Sequence, residues 1–206
     1  SLFGLSGKTE LAPMPPNPFM GDPGEDCILM LGINPAYRPE DDAFRRGDVD
    51  LPLSCLSEFE RTGDTRSLGP WLDKLRTFFV GEYWYGGYFS WLGRILGEGV
   101  FADTWARTGQ DRRQIMHRHV IKMDAVPWYS RKAGFSSATL RVGFREDPGL
   151  MANMALLEAA VDRYRPRWIQ VNGMGPWGAI RDTLVDSGSY EVRSHGPDAR
   201  TDFGIG

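Results

Sequence analysis

The chain of 206 residues reads as an α/β protein with three layers, a four-stranded parallel sheet flanked by helices. Three observations predict this. The run Cys27-Ile28-Leu29-Met30-Leu31 is apolar without a break, as in a strand buried on both faces in the middle of a parallel sheet. Further strand candidates alternate with segments of helical apolar spacing. Each of the four strand candidates ends in a polar turn, at Asn34, Asp124, Asn172-Gly173 and His195. In open α/β sheets the carboxyl ends of the strands are where ligands bind.

Residues 1–26 predict an irregular lead-in, because Pro13, Pro15, Pro16 and Pro18 oppose helix and central strand alike. A wrap over the surface is the expected role. The first strand follows and stops at Gly32-Ile33-Asn34-Pro35, where Pro35 biases Asn34 away from the helical region. An ordinary turn accounts equally well for Asn and Pro at that place. Residues 38–70 are charged and broken by glycine. They predict two short helices, Asp42 to Arg46 and Cys55 to Arg61, and a long connection. Trp71 to Val80 has helical spacing, and Tyr88, Trp91, Leu92, Ile95 and Leu96 make a second stripe. Between them, Tyr83-Trp84-Tyr85 sits among glycines and reads as core or as a stacking loop.

Val120-Ile121-Lys122-Met123 is the second strand candidate, with Asp124 at its end. Pro127, Trp128, Tyr129, Ser130, Arg131 and Lys132 follow, and aromatic faces mixed with hydroxyl and cationic donors suit phosphate and stacked bases. Leu150 to Arg165 is a helix with Met151, Met154, Leu157, Val161 and Tyr164 on one face, ended by Pro166. Trp168 to Asn172 is the third strand, followed by a glycine turn and a helix from Trp177 to Val185. The turn lacks the dinucleotide and phosphate-loop glycine patterns. Tyr190 to Arg193 is a short fourth strand leading to Ser194-His195-Gly196-Pro197.

The length suits one domain over 1–206 that needs neither disulfide nor metal to hold its core. Two distant cysteines are too few for a four-cysteine iron–sulfur cluster and lack zinc spacing, so no cofactor or metal is expected. They fit a reducing, cytoplasmic setting. No apolar run approaches the roughly 20 residues that cross a bilayer, so no membrane partner is expected. No secretory leader is visible, and Ser1 in place of Met points to a processed or tagged start that hides the true one. The formal charge of −3 argues mildly against nucleic acid. Yet nine Lys/Arg fall between Ala106 and Arg145, opposed only by Asp111 and Asp124, a possible phosphate footprint or a solvated face. Asn, Asp and His at one sheet edge could orient a water and stabilise an anionic leaving group. There is no nucleophile elbow for acyl transfer.

Gly32-Ile33-Asn34-Pro35 resembles the first motif of the uracil-DNA glycosylase superfamily, in the Asn-bearing form of its mismatch-specific branch. Met123-Asp124-Ala125-Val126, Val171-Asn172-Gly173 and Ser194-His195-Gly196-Pro197 are similar to its later motifs, in the same order, over roughly Pro18 to Gly206. The resemblance implies a four-stranded parallel sheet flanked by helices and hydrolysis of an N-glycosidic bond to a flipped-out base. It implies that Asn34 positions the attacking water and that His195 stabilises charge on the leaving base. Gly32, Ile33, Pro35, Tyr37, Asp124 and Asn172 would shape the base pocket. Trp128 to Lys132 with Ser194, Gly196 and Pro197 would meet DNA, the expected partner of a monomeric enzyme. Two departures stand out. Asp124 replaces the family's base-reading Asn, and a carboxylate only accepts hydrogen bonds, which favours an N–H-rich base edge. Ala36 follows Pro35 where uracil-selective members have a bulky Tyr, which implies a roomier pocket, although Tyr37 is adjacent. A non-catalytic nucleobase or nucleic-acid binder on the same fold is the alternative, and an unrelated α/β hydrolase is a third reading.

Overall fold

A computed structural model describes residues 15–24, 27–33, 42–81, 116–130, 135–172, 177–181, 191–194 and 201–205. For 42–48, 80–81, 172, 191–194 and 201–205 it describes the backbone. The protein is mixed α/β, built on three adjacent parallel strands. These are β1 (Ile28–Gly32), β2 (Val120–Asp124) and β3 (Trp168–Asn172). Every residue of β1 is buried, as its apolar run predicts, and so is every residue of β2, including Lys122 and Asp124. Two further strands, β4 (Glu191–Ser194) and β5 (Thr201–Ile205), complete the order β2-β1-β3-β5-β4.

The sheet therefore departs from the expected four parallel strands. β5 pairs antiparallel with β3, and β4 pairs antiparallel with β5. The predicted fourth strand does run in the direction of the first three, but β5 separates it from them. Thr201-Asp202-Phe203-Gly204-Ile205 carries no apolar run that would announce a strand. Its neighbours supply the ladder hydrogen bonds that its composition does not advertise.

The helices flank the sheet. Helix α1 (Asp42–Thr62) is one element of 21 residues where two short helices were expected, and it continues through Pro52. A proline removes one backbone donor, a loss that the remaining turns of a long helix tolerate at some cost. Gly63, with φ 69°, leaves the helix in the left-handed region that favours glycine. After a 3-10 turn (Thr65–Leu68) come α2 (Gly69–Arg76), with Pro70 in its first turn, and α3 (Phe78–Gly81). The single helix predicted over 71–80 thus breaks at Thr77, which lets Phe79 drop into the core at 2% exposure.

Helix α4 (Ser137–Glu146) was not expected from the sequence. Ser136 caps it by accepting from the Thr139 amide. Asp147 ends α4 and starts α5 (Pro148–Tyr164), accepting from the Gly149 and Leu150 amides. On α5 the buried residues are Leu150, Asn153, Met154, Leu157 and Ala160, while Met151 faces solvent at 48% exposure. Residues 177–181 form a further helical segment.

The core has two sides. On one, Leu29, Leu31, Ile121, Met123, Ile169 and Val171 pack under Met154, Leu157 and Ala160 of α5 with Trp177 and Ile180. On the other, Ile28, Met30 and Val120 meet Met20, Phe79 and Met116. The described part of the lead-in, residues 15–24, lies irregularly against the sheet edge, in keeping with its prolines. Met20 exchanges both backbone hydrogen bonds with Lys122 at 2.8 Å, which covers the otherwise open edge of β2.

Candidate functional site

Strand register builds the site. Gly32 pairs with Asp124, so the carboxyl ends of β1 and β2 lie side by side. Leu31 pairs with Val171, which places Asn172 one residue further along β3 at the same edge. Asn172 pairs with Thr201, and Ser194 pairs with Asp202 at the end of β4. The exits of β2, β1, β3 and β4 therefore share one edge of the sheet. Gly32, Asp124, Asn172 and Ser194 are all on it. The inserted β5 spreads them: three strand spacings, about 14 Å, separate the exits of β1 and β4. Asn34, Pro35, Tyr37, Arg131, Lys132, His195, Gly196 and Pro197 lie outside the described residues, as do Tyr83-Trp84-Tyr85.

The two central exits stay paired beyond the strands. The Ala125 amide donates to the Gly32 carbonyl and the Val126 amide to the Ile33 carbonyl, both at 2.9 Å. Ile33 is thereby held, half-buried, against Val126, Phe135, Leu140 and Leu150. From α5, the buried Asn153 side chain donates to the carbonyls of Asp124 (2.9 Å) and Ala125 (3.1 Å). A helix thus holds the turn that carries Asp124 at a fixed height above the sheet.

Asp124 is 3% exposed and forms an ion pair with Lys122 at 2.5 Å. Residues two apart on a strand share a face, so both side chains point away from α5, to the side of Met30 and Val120. The lysine ammonium stays within a mostly apolar layer because its partner is beside it. The carboxylate also covers Gly32: a Cβ at that position would collide with Asp124 Oδ1. Glycine is required there by close approach.

The loop after β2 is more enclosed than its composition suggests. Trp128 is half-buried and packs over Gly149, where a Cβ would lie 2.5 Å from its ring. The Tyr129 hydroxyl accepts from Asn17 of the lead-in at 3.2 Å. Ser130 is 2% exposed, which removes it from any surface that a DNA backbone would touch. Of the basic stretch, Lys122 is turned inward, while Arg118, Arg141 and Arg145 are exposed. His119, in the helical turn just before β2, is held below the usual imidazole range, first by burial and then by the charge of Arg118.

Sequence reasoning missed two residues of this edge. Lys122 reads as a basic residue within the second strand, yet a lysine inside an apolar strand with an acid two positions on is a signal for a buried pair. Asn153 was passed over inside the helix. An asparagine between apolar core positions is a weak helix former and marks a side chain with a specific hydrogen-bonding task.

Among the described residues, no three His, Cys, Asp or Glu side chains gather as a metal site. No helix among them is long and apolar enough to cross a membrane. Comparison with protein-family models, with curated proteins and with solved structures gives no match for this chain.

Proposed function

We propose that the chain is a DNA base glycosylase that hydrolyses the N-glycosidic bond of a flipped-out base. The observation that carries this reading is the shared edge, on which Gly32, Asp124, Asn172 and Ser194 end strands of the same direction. Each belongs to one of the four motifs that resemble the uracil-DNA glycosylase superfamily. On this reading Asn34 orients water for attack at the sugar carbon. The bond to the base breaks, and His195 stabilises the negative charge left on the base. An amide orients water but takes up its proton poorly, so the enzyme is slow.

The second reading is a protein of the same fold that holds a nucleobase or nucleic acid without catalysis. One observation favours it: Asp124 already has Lys122 as its partner and is 3% exposed, unlike a group free to read a base edge.

Cleavage of oligonucleotides carrying uracil, hypoxanthine, xanthine, mismatched thymine or normal bases separates the two. Each is tested single- and double-stranded and treated with alkali. The glycosylase reading expects alkali-dependent breaks that disappear in Asn34→Ala and His195→Ala. Salt-sensitive DNA binding without breaks on any substrate selects the non-catalytic reading.

A further inference from the structure

A hollow lies on the opposite side of the sheet from the Asp124 carboxylate. A cavity of about 310 Å³ is lined by residues of α2 and α5 over the edge strand β2. This is at the small end of ligand sites, which run from about 300 to 1,000 Å³. Ile121 and Met123 of β2 line it from below, both at most 2% exposed.

The helix spacings explain both the hollow and its polarity. On α5, Leu156, Ala159, Ala160, Arg163 and Tyr164 fall at i, i+3, i+4, i+7 and i+8, which is one helix face. The two alanines leave the space. On α2, Leu72 and Arg76 fall at i and i+4. Each helix therefore contributes apolar side chains followed by an arginine. Both arginines belong to one end of the cavity, because both approach Asp22: Arg76 Nε at 3.6 Å and an Arg163 terminal nitrogen at 3.8 Å.

Those contacts are ion pairs beyond the hydrogen-bond range of about 2.7–3.2 Å, so Asp22 offsets part of the charge of both arginines but leaves their N–H donors to a second acceptor. Asp22 Oδ1 instead accepts the Tyr164 hydroxyl at 2.5 Å. Arg76 also reaches Asp73 at 3.3 Å, a residue 73% exposed on its side chain. Arg163 remains 67% exposed on its side chain, braced on the Tyr164 ring at 5.2 Å.

We propose that this cavity binds a small apolar carboxylate, with the apolar body over Ile121 and Met123 and the carboxylate between Arg76 and Arg163. Planar guanidinium groups match a carboxylate with two parallel hydrogen bonds. The proposal is independent of what happens at the strand-end edge.

Calorimetric titration of the full chain with octanoate, 2-naphthoate and 1-octanol tests it. Saturable binding of a carboxylate with Kd of about 1 mM or tighter is expected, with 1-octanol weaker. The preference between octanoate and 2-naphthoate tells an aliphatic from an aromatic ligand. The Arg76→Gln/Arg163→Gln variant is expected to lose about tenfold for the carboxylates and nothing for 1-octanol. Ala159→Trp, at an exposed position, fills the hollow and abolishes binding with an unchanged circular dichroism spectrum. Leu156→Gln serves as the second lining variant and weakens both carboxylates. Absence of saturable carboxylate binding overturns the proposal. So does 1-octanol binding as tightly as octanoate, or carboxylate binding that ignores the arginine and lining variants.

Discussion

The carboxylate of Asp124 occupies the space that any side chain at Gly32 would need. The two residues are register partners at the ends of adjacent parallel strands. Gly32→Ala must therefore displace a buried carboxylate held by Lys122. The expected loss is about 1–3 kcal/mol, as for other overpacked sites. Thermal denaturation reads it as a fall in Tm. In a double-mutant cycle, adding Asp124→Ala relieves the clash, so the two changes are strongly non-additive. Additive losses would show that the two groups do not compete for that space.

Lys122 and Asp124 form a pair whose members cannot be removed singly without cost. Their side chains are 10% and 3% exposed. Lys122→Met leaves a buried carboxylate without its ammonium and is expected to cost about 3–5 kcal/mol. Combining it with Asp124→Leu recovers most of that loss, because an apolar pair of similar volume needs no compensation. Urea unfolding of the three variants measures this. If the glycosylase reading holds, Asp124→Asn alone also shifts base preference toward uracil, whose edge an amide can both donate to and accept from.

Asn153 holds the Asp124 turn from the opposite layer. Asn153→Leu removes the donor to two buried carbonyls, at an expected cost of about 1–3 kcal/mol. Asn153→Asp is worse, since it places an acceptor against acceptors. Amide hydrogen exchange at Ala125 and Val126 should rise in both variants relative to the centre of β2. Unchanged protection there would remove Asn153 from its positioning role.

Two of the described ionisable groups, Tyr164 and His119, make stability depend on pH. Burial, then the hydrogen bond and charge of Asp22, push Tyr164 up to about 12. Its folded value lies above its unfolded one, so this contribution is present below pH about 10 and is lost as pH rises through about 12. His119 is shifted the other way, by burial and then Arg118. An unfolded chain binds the proton more readily, so stability falls as pH drops below about 6.5. Denaturant midpoints across pH should show both limbs. Tyr164→Phe flattens the alkaline limb, and His119→Gln flattens the acid one.

Three parallel strands and the residues that end them were legible because buried strands announce themselves locally. Cys27 to Leu31 is an unbroken apolar run and Trp168 to Val171 is interrupted only by Gln170, and the strands they announce, Ile28–Gly32 and Trp168–Asn172, run in the expected direction. Helix α5 was equally plain from its spacing and from Pro166 beyond its end. Helix α1 is longer than its sequence suggests because Gly47 breaks helices only on average, and a long helix can carry it and Pro52 as well. Strand β5 was invisible because a residue joins an existing ladder for reasons held by its neighbours.

The sequence by itself determined that strands of one direction end in Gly, Asp and Asn, since hydrophobic periodicity and turn chemistry are properties of contiguous residues. Only the tertiary structure decided that Gly32 makes room for Asp124, that Lys122 neutralises it, and that Asn153 holds it in place. It also decided that Arg76 and Arg163, far apart in the chain, face one cavity. Register and helix docking bring together groups from distant segments, and no local pattern records which of them will meet.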